Sequence, residues 1–392
     1  MAYRYKQNIL DRDDLIEKKL NEALSKFTFK CLETIMRLKN NKNIVFSPYS
    51  IYKGLLLIYL ASSNEIQAHI RQKLELPDIN IEKGIRIWIM KKRTQNQNLS
   101  NYNDENRCWI TNTKCLNTKT QLLFRDDLEI VGFHRPHTYL THLINESLQN
   151  TIGNYTRLFV KLKNISKHME ILLATTLGLK GATIKKNNSH HFNKHKNMKN
   201  MHSSKNPRTV VSPKLAMIVT ELPFIDKNLS LFVLFPAVKF SATWIVRGEL
   251  LELFERLATR EGIDELRRVL DDEESSTVKL QKVIYPNFFE LQNELGINKL
   301  LNTFDTVRLP YFTAQNLHLG GAKHCAYIKV IPLNSVKVTA GAINMFFTKD
   351  GGSFKPVQNI NHSRNSNKFI CLLYCKDSHT ILFIGIVNRD KP

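Results

Sequence analysis

The chain has 392 residues, 42% of them apolar, and a formal net charge of +22. That length fits one large domain or two ordinary ones, and the apolar share supports a sizeable core and excludes a chain disordered by composition. No apolar run approaches the ~18 residues of a membrane span, and the charge points either to a polyanionic partner or to drift towards Lys and Asn with the charge left in solvent.

The start, MAYRYKQNILDRDDLIEKK, is charged and lacks the apolar centre of a signal peptide. Residues 13–38 predict a helix, with Leu15, Leu20, Ala23, Leu24, Phe27, Cys31, Ile35 and Leu38 recurring at helical steps. Residues 1–12 precede it as an N-terminal extension, and 13–392 reads as a single domain because no long linker divides it. Asn43 to Phe46 predict a short strand. Ser47-Pro48 then opens a heavily apolar helix, with Ser47 as N-cap and Pro48 at the first position. Residues 65–76 predict an amphipathic helix.

Residues 81–93 predict a basic amphipathic helix. Ile85, Trp88 and Ile89 mark one face, Lys83, Arg86 and Arg93 fall near the other, and Lys91 and Lys92 add charge at its end. Residues 106–111 and 169–179 read as strands. Residues 185–208 form a basic, His-rich stretch with few apolar anchors. LSLFVLFPA (229–237) reads as a buried strand, 249–270 as helix, and VKLQKVIYPNFFELQNELGI as a strand followed by a helix. Ala326 to Ile331 reads as a strand interrupted by Pro332, Asn334 and Ser335. The end predicts a hairpin around Lys376-Asp377-Ser378. The order, helix-rich first and strand-rich last, gives an α+β fold.

The six cysteines are scattered, which excludes a disulfide scaffold; Cys371 and Cys375 read as core fillers. Sequons at Asn98, Asn145, Asn154, Asn164, Asn187, Asn228 and Asn361 lean towards secretion. There is no G-x-S-x-G, H-E-x-x-H or phosphate loop, so nothing supports an enzyme or a cofactor. Gly320-Gly321 and Gly351-Gly352 read as turns. His190, His191, His195 and His202 share one polar run without interleaved carboxylate or cysteine, so a solvated loop is favoured over a metal site.

Several segments together resemble the serpins, the serine protease inhibitor superfamily. NIVFSPYSI (43–51) is similar to that family's N-[IV]-x-F-S-P-x-S-I. Asn106-Arg107 before Trp109-Ile110, Ile144-Asn145 with Leu148, Leu179-Lys180-Gly181, Glu221-Leu222-Pro223-Phe224, Leu295-Gly296-Ile297, His324 and the final ILFIGIVN match further family segments in order. The resemblance implies about nine helices, three β-sheets and an exposed reactive-centre loop, here over roughly 333–357. It implies inhibition by suicide: a protease acylates on the loop, and the cut loop enters the central sheet as a new strand.

The family hinge reads roughly E-[EK]-G-[TS]-E-A-A-A-A-[TS]. Counted from His324, Pro332 stands at its first Glu and Asn334 at its Gly, while Ser335, Thr339 and Ala340 fit. Lys337 stands at an alanine expected to face the sheet interior after insertion, where an unpaired ammonium costs several kcal/mol. Val338 is bulkier and stiffer than the expected alanine. At the family's sheet-centre positions, Ser47, Ser50 and His324 are kept and Thr175 stands for an Asn; at the top of the sheet, Thr183 stands for a Trp.

These departures point to a non-inhibitory or weakly inhibitory serpin-fold binding protein. The competing reading is a working inhibitor with its scissile bond near Thr348-Lys349, where Lys349 suits a trypsin-like serine protease. A third reading is a glycosaminoglycan site at Lys83, Arg86, Lys91, Lys92 and Arg93. Nucleic acid is disfavoured, since no recognition motif is present. The resemblance further implies a monomer and an extracellular location, with a cytoplasmic one as the alternative.

Overall fold

The computed structural model describes residues 2–38, 43–77, 81–97, 102–118, 121, 124, 127–152, 168–183, 209–225, 228–240, 245–247, 250–257, 259–271, 289–296, 307–313, 315, 317–332, 336–348 and 368–388. Helix α1 (Ala2–Leu38) begins upstream of the expected residue 13 and buries Ile16, Leu20, Ala23, Leu24, Phe27, Cys31 and Ile35. Leu15 is exposed instead; Ile16 takes its place on the buried face.

Strand β1 (Ile44–Phe46) leads into α2 (Pro48–Ala61). The Ser47 hydroxyl caps α2 by accepting the Ser50 N–H at 3.1 Å, with Pro48 in the first turn, where its missing donor costs nothing. Every residue of α2 is buried, as expected of a helix that is apolar all round. Helices α3 (Asn64–Leu74) and α4 (Glu82–Gln97) follow.

A six-stranded sheet has the order β3 (Leu128–Val131), β2 (Tyr102–Thr111), β4 (Ile171–Thr183), β13 (Val336–Phe347), β12 (Gly321–Pro332), β9 (Phe289–Gly296). Among the described residues of this sheet, β2 and β3 alone pair in parallel. A seven-stranded sheet has the order β1, β15 (Thr380–Asn388), β14 (Lys368–Cys375), β7 (Leu229–Phe240), β6 (Met217–Pro223), β5 (Thr209–Ser212), with β8 (Ile245–Arg247) on β7. The expected C-terminal hairpin is β14 and β15, turning at 376–379. A third sheet pairs β10 (Val307–Arg308) with β11 (His318–Leu319).

Helix α2 lies between the two large sheets, touching β15 on one side and β4 and β13 on the other. The main core gathers there. On the outer face of the six-stranded sheet, α5 (His137–Ile152) lays Leu140, Ile144, Leu148 and Ile152 over a second core containing Trp109, Tyr327 and Ile343. The region expected as one helix over 249–270 is two, α6 (Leu250–Leu257) and α7 (Arg260–Asp271). They divide at Thr259, whose hydroxyl accepts the Gly262 N–H at 3.0 Å and restarts the helix.

The helix expected from FELQNELGI is instead strand β9, paired from Gly296 to Phe289 along β12. Pairing with β12 outweighs the local pattern there. All six cysteines are free thiols, and Cys371 and Cys375 are buried in β14. No helix among the described residues is long and apolar enough to cross a membrane.

Candidate functional site

The segment expected as an exposed loop is, from Val336 to Phe347, a strand in the middle of the six-stranded sheet. It pairs antiparallel with β12 on one side, from Val336–Pro332 to Phe347–Gly321, and with β4 on the other. The composition accounts for it. Val338, Ala340, Ala342 and Phe346 face the main core, while Ile343, Met345 and Phe347 face the second core under α5. A strand apolar on both faces is one covered on both faces. In an exposed loop, Val338, Ile343, Met345, Phe346 and Phe347 would meet water; burying each contributes roughly 1.5–3 kcal/mol.

The hinge expectation is corrected at one position. Lys337 is exposed and Val338 is fully buried, so the interior-facing residue is the valine and no ammonium enters the core. Thr339 is half-buried and Ala340 fully buried. The register slips between Val338 and Ala340, because β4 carries an extra residue opposite them. Gly181, at φ 59, allows that bulge, since an L side chain rarely adopts this backbone conformation. Pro332 pairs with Val336, beyond the last β9 pair at Val330. Asn334, Ser335 and Lys349 lie outside the described residues.

At the end of β13, Thr348 is tied down. Its hydroxyl accepts the N–H groups of Glu170 and Ile171 at 3.0 and 3.1 Å, and its own N–H donates to the Ile171 carbonyl at 3.3 Å.

Midway along β13 the four residues expected at the sheet centre do converge, and they converge on a fifth. Ser47, Ser50, Thr175 and His324 are fully buried, as is Asn344. Asn344 stands opposite His324 on β12 and Thr175 on β4. The Ser47 N–H donates to His324 Nε2 at 3.1 Å, so that nitrogen is the acceptor and Nδ1 carries the proton. Nδ1 then donates to Asn344 Oδ1 at 2.6 Å. Asn344 Nδ2 donates to Ser50 Oγ at 2.6 Å and Thr175 Oγ1 at 2.8 Å. Ser47 Oγ donates to the Leu382 carbonyl at 2.6 Å, joining the network to the other sheet. Burial lowers the His324 pKa to about 4, against the opposing hydrogen bond to Asn344, so the ring is neutral. Asn344 was not singled out from the sequence. Its signal was an isolated amide in the apolar run from Ala340 to Phe347, which a buried strand must satisfy.

The basic helix is only partly a surface. Ile85, Trp88 and Ile89 are buried, Lys83 is exposed and Arg86 half-buried. Lys91 is ion-paired with Glu17. Lys92 contradicts the expectation: it is 1% exposed, donates to the Ser378 carbonyl at 3.2 Å and stands over the Trp88 ring. Burial lowers its pKa to about 8. An amine held inside by a carbonyl and an indole is not offered to a polyanion. The side chain of Arg93 and all of 184–208 lie outside the described residues. A further buried charge, Lys53 on α2, pairs with Asp104 on β2, whose other oxygen accepts the Tyr49 hydroxyl at 2.7 Å.

The sequence pattern of the Serpin (serine protease inhibitor) family matches residues 22–389. "Serine protease inhibitor 88Ea" from Drosophila melanogaster is 22% identical over 418 residues, covering 96% of this chain and 92% of that one. Among solved structures, "Cleaved Serpin 42Da" is similar at a TM-score of 0.70 and 17% identity, over 96% of this chain and 100% of that one. "Crystal Structure of a Thermophilic Serpin, Tengpin, in the Latent State" is similar at 0.67 and 15%, over 94% and 97%. With a family pattern matched from α1 to β15, the chain belongs to the serpin (serine protease inhibitor) family.

Proposed function

We propose that this serpin inhibits a trypsin-like serine protease by strand insertion. The observation that carries the reading is the fit of 336–347 between β4 and β12, with Lys337 in solvent and small or apolar residues inside. The strongest objection to insertion, a buried ammonium, falls away. The hinge count that turned Lys337 inward is one residue short, because the interior positions are the even-numbered ones from Val338 to Phe346. Moving the count by one places the scissile bond at Lys349-Asp350, with Lys349 as the residue entering an acidic specificity pocket. The protease serine Oγ attacks the Lys349 carbonyl, the bond to the Asp350 nitrogen breaks, and that amine leaves with a proton. The ester that remains is carried along when 336–347 enters the sheet.

Incubation with trypsin tests this. An SDS-stable complex, lost in Lys349→Ala, supports it. Clean cleavage without complex overturns it. A second reading has its own support: with 336–347 already in the sheet of an uncut chain, little loop remains to present to a protease, which favours a non-inhibitory binding protein. That form would resist cleavage at Lys349 altogether. An extracellular site of action is part of the proposal, motivated by the sequons, and glycan on the secreted protein is its test.

A further inference from the structure

We propose that Asn344 is the positioning residue of insertion: its amide closes the buried network at the sheet centre, setting the register of the strand and holding it in place. This rests on the insertion reading and specifies what makes insertion unique and durable. On the face towards the main core, apolar patterning alone leaves the register loose. Val338, Ala340 and Ala342 all face the main core, so a slip of two residues would exchange one small apolar residue for another. Asn344 removes that freedom. Only with it opposite His324 and Thr175 do all three of its polar contacts form. A slip of two residues in either direction puts Ala342 or Phe346 against the His324 Nδ1 proton and the two hydroxyls. A buried donor facing a methyl or a phenyl ring is left unsatisfied.

The arrangement is also asymmetric between the two states. Ser47, Ser50, Thr175 and His324 belong to α2, its cap, β4 and β12, none of which is part of the segment that inserts. Asn344 alone travels. The amide therefore belongs to the network only while the strand is in, and it discriminates between the states in a way that a polar group on a fixed strand does not. Nor does the amide lack a use for any of its polar capacity that faces the network: the oxygen accepts one bond and the nitrogen donates two.

The test uses the full chain, uncut and after loop cleavage, with three variants: Asn344→Ala, Thr175→Asn, and both together. Hydrogen exchange is followed at the amides of 338–347, with those of β14 as internal reference. Asn344→Ala is expected to speed exchange across the inserted strand at least about tenfold relative to β14, the loss expected for one unsatisfied buried polar group. The double variant separates positioning from general support of the core. An amide on β4 satisfies the network in both states, so it restores the melting temperature of the Ala variant without restoring the extra protection of 338–347. If Asn344→Ala leaves exchange across 338–347 at the wild-type rate, or if Thr175→Asn restores that protection fully, the proposal is overturned. If wild-type 338–347 exchanges freely both before and after cleavage, the insertion reading itself fails. Protected wild-type amides with no effect of Asn344→Ala sink the positioning role alone.

Discussion

Gly341→Val should weaken the inserted strand while sparing the same segment outside the sheet. Gly341 stands mid-strand, opposite Tyr327 on β12 and Gly178 on β4. A Cβ there would lie 2.4 Å from Tyr327 Cε1 and 3.0 Å from Ile152 Cγ2. Tyr327 cannot swing aside cheaply, since its ring is buried and its hydroxyl donates to the Ile152 carbonyl at 3.2 Å. Overpacking of this kind costs roughly 1–3 kcal/mol, and valine's two methyls push it to the upper end. The better strand propensity of valine returns at most ~1 kcal/mol. The net is about 2 kcal/mol against insertion. Unfolding entropy of ~2.1 cal/mol/K per residue gives this chain about 0.8 kcal/mol/K, so the shift is ~2–3 °C. Calorimetry of the cleaved chain reads it directly. A cleaved variant that melts with the cleaved wild type would mean that Gly341 does not meet Tyr327, and that 336–347 is not packed where β13 lies.

Three further outcomes concern two buried groups and the basic helix. The His324 pKa is about 4 when folded against 6.5 when free, so the folded state holds the ring neutral and the unfolded chain binds the extra proton. The His324 contribution is complete above pH 6.5, falls by about 3 kcal/mol as the pH drops towards 4, and changes no further below; denaturant unfolding between about pH 7 and 4 measures it, and His324→Gln should reduce the slope. Asp104→Asn takes the carboxylate from a buried ammonium and should cost ~3–5 kcal/mol in denaturant unfolding, whereas an apolar replacement of both Lys53 and Asp104 should recover most of it. On a heparin column, Lys83→Ala with Arg86→Ala should elute at clearly lower salt, since exposed charges bind through a screened field. Lys92→Met should elute with the wild type while melting lower; earlier elution of Lys92→Met would show that the amine reaches the surface.

The parts of this fold legible in sequence are those where a local signal and the tertiary need agree. Ser47-Pro48 announced α2 because capping and a missing donor act within one turn, and the tertiary structure uses that same turn to place Ser47 against His324. The C-terminal hairpin was legible because its turn residues lie between two long apolar runs. The β9 segment was not: FELQNELG spaces its residues for a helix, and only the partner β12, remote in sequence, makes it a strand. Lys92 was misread for a related reason. Charge says where a side chain would prefer to be, but the Ser378 carbonyl and the Trp88 ring that hold it inside come from elsewhere in the chain.

The hinge carries the sharper lesson, because there the sequence was read with the right periodicity and the wrong phase. In a strand, a slip of one residue exchanges the two faces. Counting from His324 with Pro332 as the pivot turned Lys337 inward and made insertion look prohibitive. One residue further on, the same alternation sends Val338, Ala340, Ala342 and Asn344 inward and leaves Lys337 in solvent. The phase is not encoded in the apolar residues, since both faces of β13 are apolar from Ala340 onwards. It is encoded in the two residues that tolerate only one side, a lysine that must stay out and an asparagine that must find three partners inside. They are an odd number of positions apart, so they satisfy opposite faces of one strand. The lysine that looked like damage to an inhibitory hinge is therefore, together with Asn344, what specifies how the segment sits once it is in.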